Sequence, residues 1–165
     1  VPDVPVVWVF QHNKIKFEAL KQALERTLNQ IPIAAGRVVI GPDCLQISCV
    51  NSPGCLLQFH KRLNMECPNI NLPASAYSPF GIVDPLIPTE PFSKPLVSAT
   101  LTHFKTGCCL YMNFNHTLMD GFSMVKFMEI WSFETDKMFT HSREQLPPVD
   151  CDHSWKSSSS SKMTI

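Results

Sequence analysis

The sequence predicts an α/β domain built on a mixed β-sheet with flanking helices. Segments typical of strands and helices follow one another in the order strand, helix, hairpin, loop, hairpin, helix. One helical segment carries apolar residues at spacings of three and four, which is the period of an amphipathic helix. At 165 residues the chain has the length of one domain with a sizeable core.

The first strand is predicted at residues 4–10, a nearly continuous apolar run. Such a run is typical of a strand buried on both faces, so we expect a central strand of the sheet. The first helix follows, and Pro32 ends it. Its apolar stripe consists of Phe17, Leu20, Leu24, Leu28 and Ile31.

Gly36 permits a tight turn before a predicted hairpin, whose strands cover residues 37–40 and 45–50 around Gly41-Pro42-Asp43. A further short strand is predicted at residues 55–59. Residues 64–94 are rich in Pro, Asn and Ser, and no secondary structure is predicted for them.

A second hairpin is predicted over residues 96–116, with Lys105-Thr106-Gly107 as its turn. Alternation places Leu110, Met112, Phe114 and His116 on one face of its second strand. The helix predicted at residues 122–131 is apolar nearly all round, which indicates burial against the sheet and against another domain. We divide the chain into a domain at residues 1–140 and a flexible Pro/Ser-rich tail at 141–165.

Composition narrows the classes of partner. The chain has 14 basic and 14 acidic residues without runs of one sign, so we expect no nucleic-acid partner and no membrane partner. No apolar run spans a membrane and no signal-peptide pattern is present, so a cytoplasmic protein is expected. The chain starts with Val1 and its first methionine is Met65, so we expect it to begin inside a longer natural sequence.

The seven cysteines form no Cys-x-x-Cys pair, and their number is odd. This pattern predicts buried free thiols rather than disulfides or a zinc ribbon. Cys108 and Cys109 lie in mid-strand without an activating neighbour, which disfavours a nucleophile. His60 and His103 show no ligand spacing with the cysteines, so no metal site is expected.

The motif His116-x-x-x-Asp120-Gly121 carries the candidate chemistry. A histidine at the end of a buried strand is held rigidly and opens onto a loop, and histidine titrates near neutral pH, which suits a general base. Three fixed positions match by chance on the order of once in a hundred chains of this length. The other interpretation is an inert, hydrogen-bonded core histidine.

Two stretches give this motif a context. The motif lies between the hairpin of residues 96–111 and the helix of residues 122–131, and upstream Ile33-Ala34-Ala35-Gly36-Arg37 follows the first helix. Together they resemble the BAHD family of acyl-CoA-dependent acyltransferases over roughly residues 4–135. The resemblance implies one half of a chloramphenicol-acetyltransferase-like two-domain fold, and acyl-CoA as a co-substrate with no bound cofactor.

The resemblance also implies roles for the motif residues. His116 is the general base that removes a proton from a hydroxyl or amine acceptor. Asp120 could orient His116 as a triad carboxylate would, but in the family this aspartate points away and pairs with an arginine to hold the loop. Gly121 is expected to serve backbone conformation, through positive φ or close approach. Arg37 is expected to be structural rather than phosphate-binding.

One departure from the family bears on function. The family's second motif, Asp-Phe-Gly-Trp-Gly, lies in the C-terminal half and has no match here, so the chain resembles an N-terminal half. In the family the acyl donor and acceptor channels run between the halves, which makes a C-terminal half domain the expected partner. The alternative is a non-catalytic, truncated domain that binds a partner through the surface a second half would cover.

Overall fold

The computed structural model of the chain describes residues 3–50, 54–69, 71–73, 76, 77, 79 and 94–140. It has a four-stranded sheet, a two-stranded sheet and two α-helices, which confirms the predicted α/β class with a mixed sheet. The elements are β1 (Asp3–Phe10), α1 (Phe17–Gln30), β2 (Arg37–Ile40), β3 (Leu45–Ser48), β4 (Leu56–Arg62), β5 (Val97–Phe104), β6 (Cys108–Asn115) and α2 (Gly121–Thr140).

The larger sheet has the strand order β1-β6-β5-β4. Strands β1 and β6 pair antiparallel, β6 and β5 form the predicted antiparallel hairpin, and β5 and β4 pair parallel. In this register Asp3, at the start of β1, lies opposite Asn115, at the end of β6. The start of β1, the start of β5 and the end of β6 therefore lie at the same end of the sheet.

Both helices pack on one face of this sheet. The buried side chains of α2 include Met124, Phe127, Trp131 and Glu134, and Phe127 contacts Phe114 of β6 edge to face. The indole Nε1–H of Trp131 donates to the carbonyl oxygen of Leu20 at 3.0 Å, which joins the two helices directly. The apolar core on this face of the sheet thus fixes α2 over β6.

The opposite face of the sheet carries a smaller cluster of buried side chains, Tyr77, Phe104, Cys109 and Tyr111. Val7 and Val9 of β1 pack against it, whereas Val6 and Trp8 pack against the helix-side core. Among the described strands β1 pairs only with β6, so it lies at an edge and the predicted central position is wrong. The sequence of β1 is apolar because both faces of the strand are packed. A hydrophobic pattern shows which faces of a strand are buried, but it does not show whether both of its edges pair with other strands.

The first helix and the first hairpin agree with their predictions. Helix α1 ends where Pro32 begins a short 3-10 helix, Pro32–Ala35, and β2 pairs antiparallel with β3. A Cβ at Gly36 would lie 2.7 Å from Cγ2 of Ile47, so the turn before β2 requires glycine. Strand β4 begins at Leu56 and continues to Arg62, three residues beyond the predicted end.

Helix α2 is longer than predicted, and only one stripe of it is buried. Its outer surface exposes Phe122 and Phe133, with 79% and 53% of their surface accessible, so burial all round is not what this chain shows. The predicted tail at 141–165 lies outside the described residues, as does most of the 64–94 loop. In the part of the chain that is described, neither helix has the length and apolar character needed to cross a membrane.

Candidate active site

The motif histidine lies where β6 leaves the sheet. The backbone N–H of Asn115 still donates to the carbonyl oxygen of Leu96 at 2.8 Å, so the strand is anchored up to this residue. His116 is the first residue of the turn that follows, and its side chain is exposed. The structure therefore places His116 on the surface, at the end of a strand that is buried from Cys108 to Met112 and again at Phe114.

Asn115 closes this turn with two hydrogen bonds. Its carbonyl oxygen accepts the N–H of Leu118 at 3.0 Å, which makes residues 115–118 a β-turn. Its side-chain Oδ1 accepts the N–H of Thr117, also at 3.0 Å, which is an Asx-turn. The backbone of His116 lies inside both hydrogen-bonded rings.

The other end of the Asn115 amide contacts β1. Its Nδ2 donates to Oδ1 of Asp3 at 3.4 Å, and the second carboxylate oxygen of Asp3 forms an ion pair with Lys94. Lys94 lies three residues before β5. Side chains from three segments of the chain therefore meet beside the turn that carries His116.

Asp120 begins α2. Its Oδ1 accepts the N–H of Ser123 at 2.8 Å, and its carbonyl oxygen accepts the N–H of Met124 at 3.0 Å, as in a helix N-cap. The pKa of Asp120 is lowered, first by the Ser123 hydroxyl, then by the Ser123 N–H, and to a smaller extent by attraction to His116. The aspartate is thus held by the helix start.

The implied arginine partner of Asp120 stays a prediction. Over residues 3–50, 54–69 and 94–140, no arginine forms an ion pair with Asp120. A triad-like role also has no direct support, because no hydrogen bond joins the Asp120 carboxylate to the His116 ring within the same residues. Both residues are exposed in one short loop, and their interaction is electrostatic.

Gly121 differs from what the sequence predicts. Among the described glycines, positive φ occurs at Gly54 rather than at Gly121. A Cβ built at Gly121 would have no neighbour within 4 Å. Neither left-handed backbone nor close approach within the described chain therefore requires glycine here, and the first turn of α2 has open space above it.

Cys108 and Cys109 are the first two residues of β6 rather than mid-strand residues, and they are unsuited to nucleophilic chemistry. Burial raises the pKa of Cys108 to about 11 and that of Cys109 to about 12, so their thiols stay protonated near neutral pH. All six described cysteines are free, but Cys44 and Cys49 are exposed, so the prediction of burial is wrong for these two. Cys44 lies between β2 and β3, and Cys49 directly follows β3.

The remaining candidate residues have structural contacts. The guanidinium of Arg37 donates to the carbonyl oxygens of Ala35, Gly36 and Gly54 at 2.8 to 3.2 Å, which supports the structural role predicted for it. The ring of His103 lies 2.9 Å from the carbonyl oxygen of Ile15 and stacks edge to face on Phe59. No group of three or more His, Cys, Asp or Glu residues in the described chain is arranged to hold a metal ion.

One apolar cavity lies away from the motif. It has a volume of about 180 Å³ and lies between β1, β6 and the C-terminal part of α2. Its walls are mostly apolar, with Trp8, Leu110, Met112 and Trp131 among them. His116 follows the opposite end of β6 and does not line this cavity.

Asn115 and Asp3 were missed by the sequence analysis. An asparagine after an alternating strand is a turn residue whose side chain bonds the backbone two residues on, so the turn could have been predicted from Asn115 alone. The contact with Asp3 depends on the register of β1 against β6, which no local pattern reports.

One family model matches the chain. A family model described as "Transferase family" matches residues 4–159, nearly the whole chain. The chain belongs to this family, that of the BAHD acyltransferases. The resemblance predicted from the motif is thus confirmed. A search of curated proteins finds no match.

Solved structures share the fold of this BAHD chain. The epimerization domain from the third module of tyrocidine synthetase B is 18% identical with a TM-score of 0.63, and the match covers 88% of this chain and 32% of that one. The starter condensation domain of rhizomide synthetase RzmA is 16% identical with a TM-score of 0.62, covering 91% and 34%. TRI101 of F. sporotrichioides, solved with coenzyme A and T-2, is 18% identical with a TM-score of 0.54, covering 82% and 37%.

These similarities show a chloramphenicol-acetyltransferase-like fold for the BAHD chain. The chain spans about a third of the length of the solved structures that it matches.

Proposed function

We propose that this chain supplies the general base of an acyl-CoA-dependent acyltransferase, with His116 as that base. Membership of the BAHD family supports acyl transfer as the reaction class. The observation that carries the assignment is the placement of His116, which is exposed and lies in a turn closed by two hydrogen bonds to Asn115.

In the proposed reaction a ring nitrogen of His116 accepts the proton of an acceptor hydroxyl or amine. The acceptor oxygen or nitrogen then attacks the carbonyl carbon of the acyl thioester. The tetrahedral intermediate expels the CoA thiolate, which takes the proton back from the imidazolium and leaves as the thiol. The acyl group passes directly from the donor to the acceptor, so no acyl-enzyme forms, and Cys108 and Cys109 take no part.

A positioned base of this kind is worth roughly two to four orders of magnitude in rate. It needs a ring that reaches solvent and a backbone that holds the ring in one place. The exposed position of His116 meets the first requirement, and the anchored end of β6 meets the second. Asp120 contributes by starting α2 five residues after the end of β6, which limits the length of the loop.

Acyl-CoA is the proposed donor. One similar structure contains coenzyme A with T-2, and a variant of the rhizomide synthetase starter condensation domain was solved with C8-CoA. The proposed acceptor is a small molecule with a hydroxyl or an amine. The apolar cavity between β1, β6 and α2 is not lined by His116 and is not assigned to this acceptor.

The proposed partner of this domain is a C-terminal half that completes the substrate site. The chain spans about a third of the length of its structural neighbours, and the open space above Gly121 lies directly beside the motif. Exposed apolar side chains on the same helix, Phe122 and Val125, offer surface that a second half would cover.

The test is an acyl-transfer assay on the chain alone and mixed with a separately made C-terminal part that carries Asp-Phe-Gly-Trp-Gly. Free CoA thiol and the mass of the acylated acceptor are both measured over a panel of alcohols and amines. Transfer in the mixture, with little or none in the chain alone, is expected. Thiol release without an acylated product would indicate hydrolysis and contradict acyl transfer.

A second candidate function is a non-catalytic domain that binds a partner protein. The observation that favours it is the set of exposed apolar side chains on α2, Phe122, Val125, Phe133 and Phe139. On either function we expect the isolated chain to self-associate in light scattering, and Phe133→Ser to reduce this. The assay above separates the two functions, because a binding domain gives no acylated product in any mixture.

A further inference from the structure

The residue before the proposed base, Asn115, has side-chain contacts that bear on His116. We propose that Asn115 is a positioning residue, which fixes the backbone of His116, and that Asp3 and Lys94 fix the side chain of Asn115. This inference rests on the proposed role of His116. It assigns a task to three residues outside the His-x-x-x-Asp-Gly motif.

The first step in positioning His116 is the turn itself. The Thr117 N–H bond to Asn115 Oδ1 and the Leu118 N–H bond to Asn115 O both close rings that contain His116. A residue inside an Asx-turn and a β-turn has its φ and ψ set by both rings. The direction of the Cα–Cβ bond of His116 follows from those angles, so Asn115 determines the region that the imidazole can reach.

The second step is the orientation of the Asn115 amide. An amide side chain has an acceptor oxygen and a donor nitrogen, and only one orientation satisfies two neighbours of opposite kind. Here Oδ1 faces the N–H of Thr117, and Nδ2 faces the carboxylate of Asp3. If the amide were flipped, its NH₂ group would face the N–H of Thr117 and its oxygen would face the carboxylate of Asp3. Asp3 therefore selects the orientation in which Asn115 can close the turn.

The third step is the anchor of Asp3. Its other carboxylate oxygen pairs with Lys94, and in the sheet register its Cα partner is Asn115 itself. The Lys94 side chain is 44% exposed, so this ion pair adds little stability of its own. Its effect is to hold the carboxylate in place, which links the starts of β1 and β5 to the His116 turn.

The size of the expected effect follows from geometry. A misplacement of a catalytic group by about 1 Å costs on the order of 100-fold in rate. We expect Asn115→Ala to lower kcat by about 10- to 100-fold with KM little changed, because Asn115 orients the base without being required for substrate binding. The matched control is Asn113→Ala, a substitution of the same residue type on the same face of β6.

Hydrogen exchange on the chain tests the turn without any need for activity. Asn115→Ala should speed exchange of the Thr117 amide about fivefold, because one hydrogen bond is lost, and should leave the Leu118 amide bonded to the backbone. Asn113→Ala should change neither amide. Unchanged exchange at Thr117 in Asn115→Ala would overturn the proposed anchor.

An exchange of the two side chains tests the link to Asp3. Asn115→Asp alone places two carboxylates side by side and should lower kcat. Adding Asp3→Asn restores a hydrogen bond in the reverse direction, because the amide at position 3 now donates to the carboxylate at position 115. The carboxylate at position 115 still accepts the N–H of Thr117. We therefore expect kcat to recover by at least about fivefold. A merely structural role would not give this recovery in kcat at constant melting temperature.

The same assay separates this inference from the proposed function. If His116→Ala has no effect on turnover, the proposed base is wrong and the inference falls with it. If His116→Ala abolishes turnover but Asn115→Ala matches Asn113→Ala, only the positioning role is overturned.

Discussion

The carboxylate of Asp120 accepts the N–H of Ser123 at 2.8 Å, so the aspartate of the motif is the residue at which α2 begins. Between His116 and Asp120 the chain completes a turn and buries Met119, which has 5% of its surface exposed. Of the three residues between the histidine and the aspartate, Thr117 and Leu118 complete the turn, and Met119 is buried in the core. Asp120 fixes the C-terminal end of this loop as Asn115 fixes its N-terminal end.

A substitution at Asp120 should act through this cap. Asp120→Ala leaves the Ser123 N–H without its acceptor and should lower the melting temperature by a few degrees, whereas Asp120→Asn keeps an acceptor without the charge and should lose less. The control is Asp43→Ala, in the loop between β2 and β3. An equal loss in Asp120→Asn and Asp120→Ala would mean that the charge rather than the cap is required, as an arginine ion pair would predict.

The cap also predicts a pH dependence. Hydrogen bonds from Ser123 lower the pKa of Asp120 in the folded chain, so its contribution to stability is present above the ordinary aspartate pKa of about 3.9 and is lost as pH falls through the lowered value. Acid unfolding monitored by circular dichroism should be less steep in Asp120→Asn, in which this group no longer titrates.

Replacing Gly107 or Gly121 by alanine should change the unfolding free energy in different ways. A Cβ at Gly107 would lie 2.2 Å from the carbonyl oxygen of Phe10, so Gly107→Ala must push β1 away from the β5–β6 turn and should cost about 1 to 3 kcal/mol of unfolding free energy. Gly121→Ala meets open space in the first turn of a helix and should be neutral or stabilising by up to about 1 kcal/mol. Denaturant unfolding measures both. A large loss of stability in Gly121→Ala would contradict the open space seen above α2.

The buried carboxylate of Glu134 should make the stability of the fold depend on pH. Its pKa is lowered mainly by a hydrogen bond from Lys137 and also by one from Gln30, which joins α1 to α2. This contribution is present above the ordinary glutamate pKa of about 4.3 and is lost as pH falls through the lowered value. Glu134→Gln should therefore lower the melting temperature at about pH 7 and differ less from wild type at about pH 3.

Glu129→Gln is the matched control on the same helix. Glu129 pairs with Lys126 at 2.9 Å, but both side chains are about half exposed, so little change is expected at either pH. Equal effects of the two substitutions would contradict the importance of burial at position 134.

Local patterns predicted most of this fold, because its core elements have strong periodicity. The stripe from Phe17 to Ile31 gave α1, and the two hairpins followed from alternation and turn residues. The edge position of β1 was missed because Val7 and Val9 are covered on one face and Val6 and Trp8 on the other. Pairing order depends on contacts over a hundred residues apart, which periodicity does not encode.

The candidate site was predictable in part. The strand end and the helix after it located His116. Asp120 begins that helix, whereas the arginine pair expected of it stays a prediction. The reason assigned to Gly121 was wrong, because helical φ and an open neighbourhood make no demand for glycine. Asp3 and Lys94 were invisible to local patterns, since they reach Asn115 only when the ends of three strands come together.

The most direct test of the account is the single-turnover rate of acyl transfer by His116→Ala in the complemented enzyme. His60→Ala, which removes another exposed histidine, is the control. We predict a fall of at least about 100-fold for His116→Ala, with an unchanged circular dichroism spectrum and melting temperature, and wild-type turnover for His60→Ala. Near-normal turnover in a well-folded His116→Ala variant would contradict the assignment of His116 as the general base.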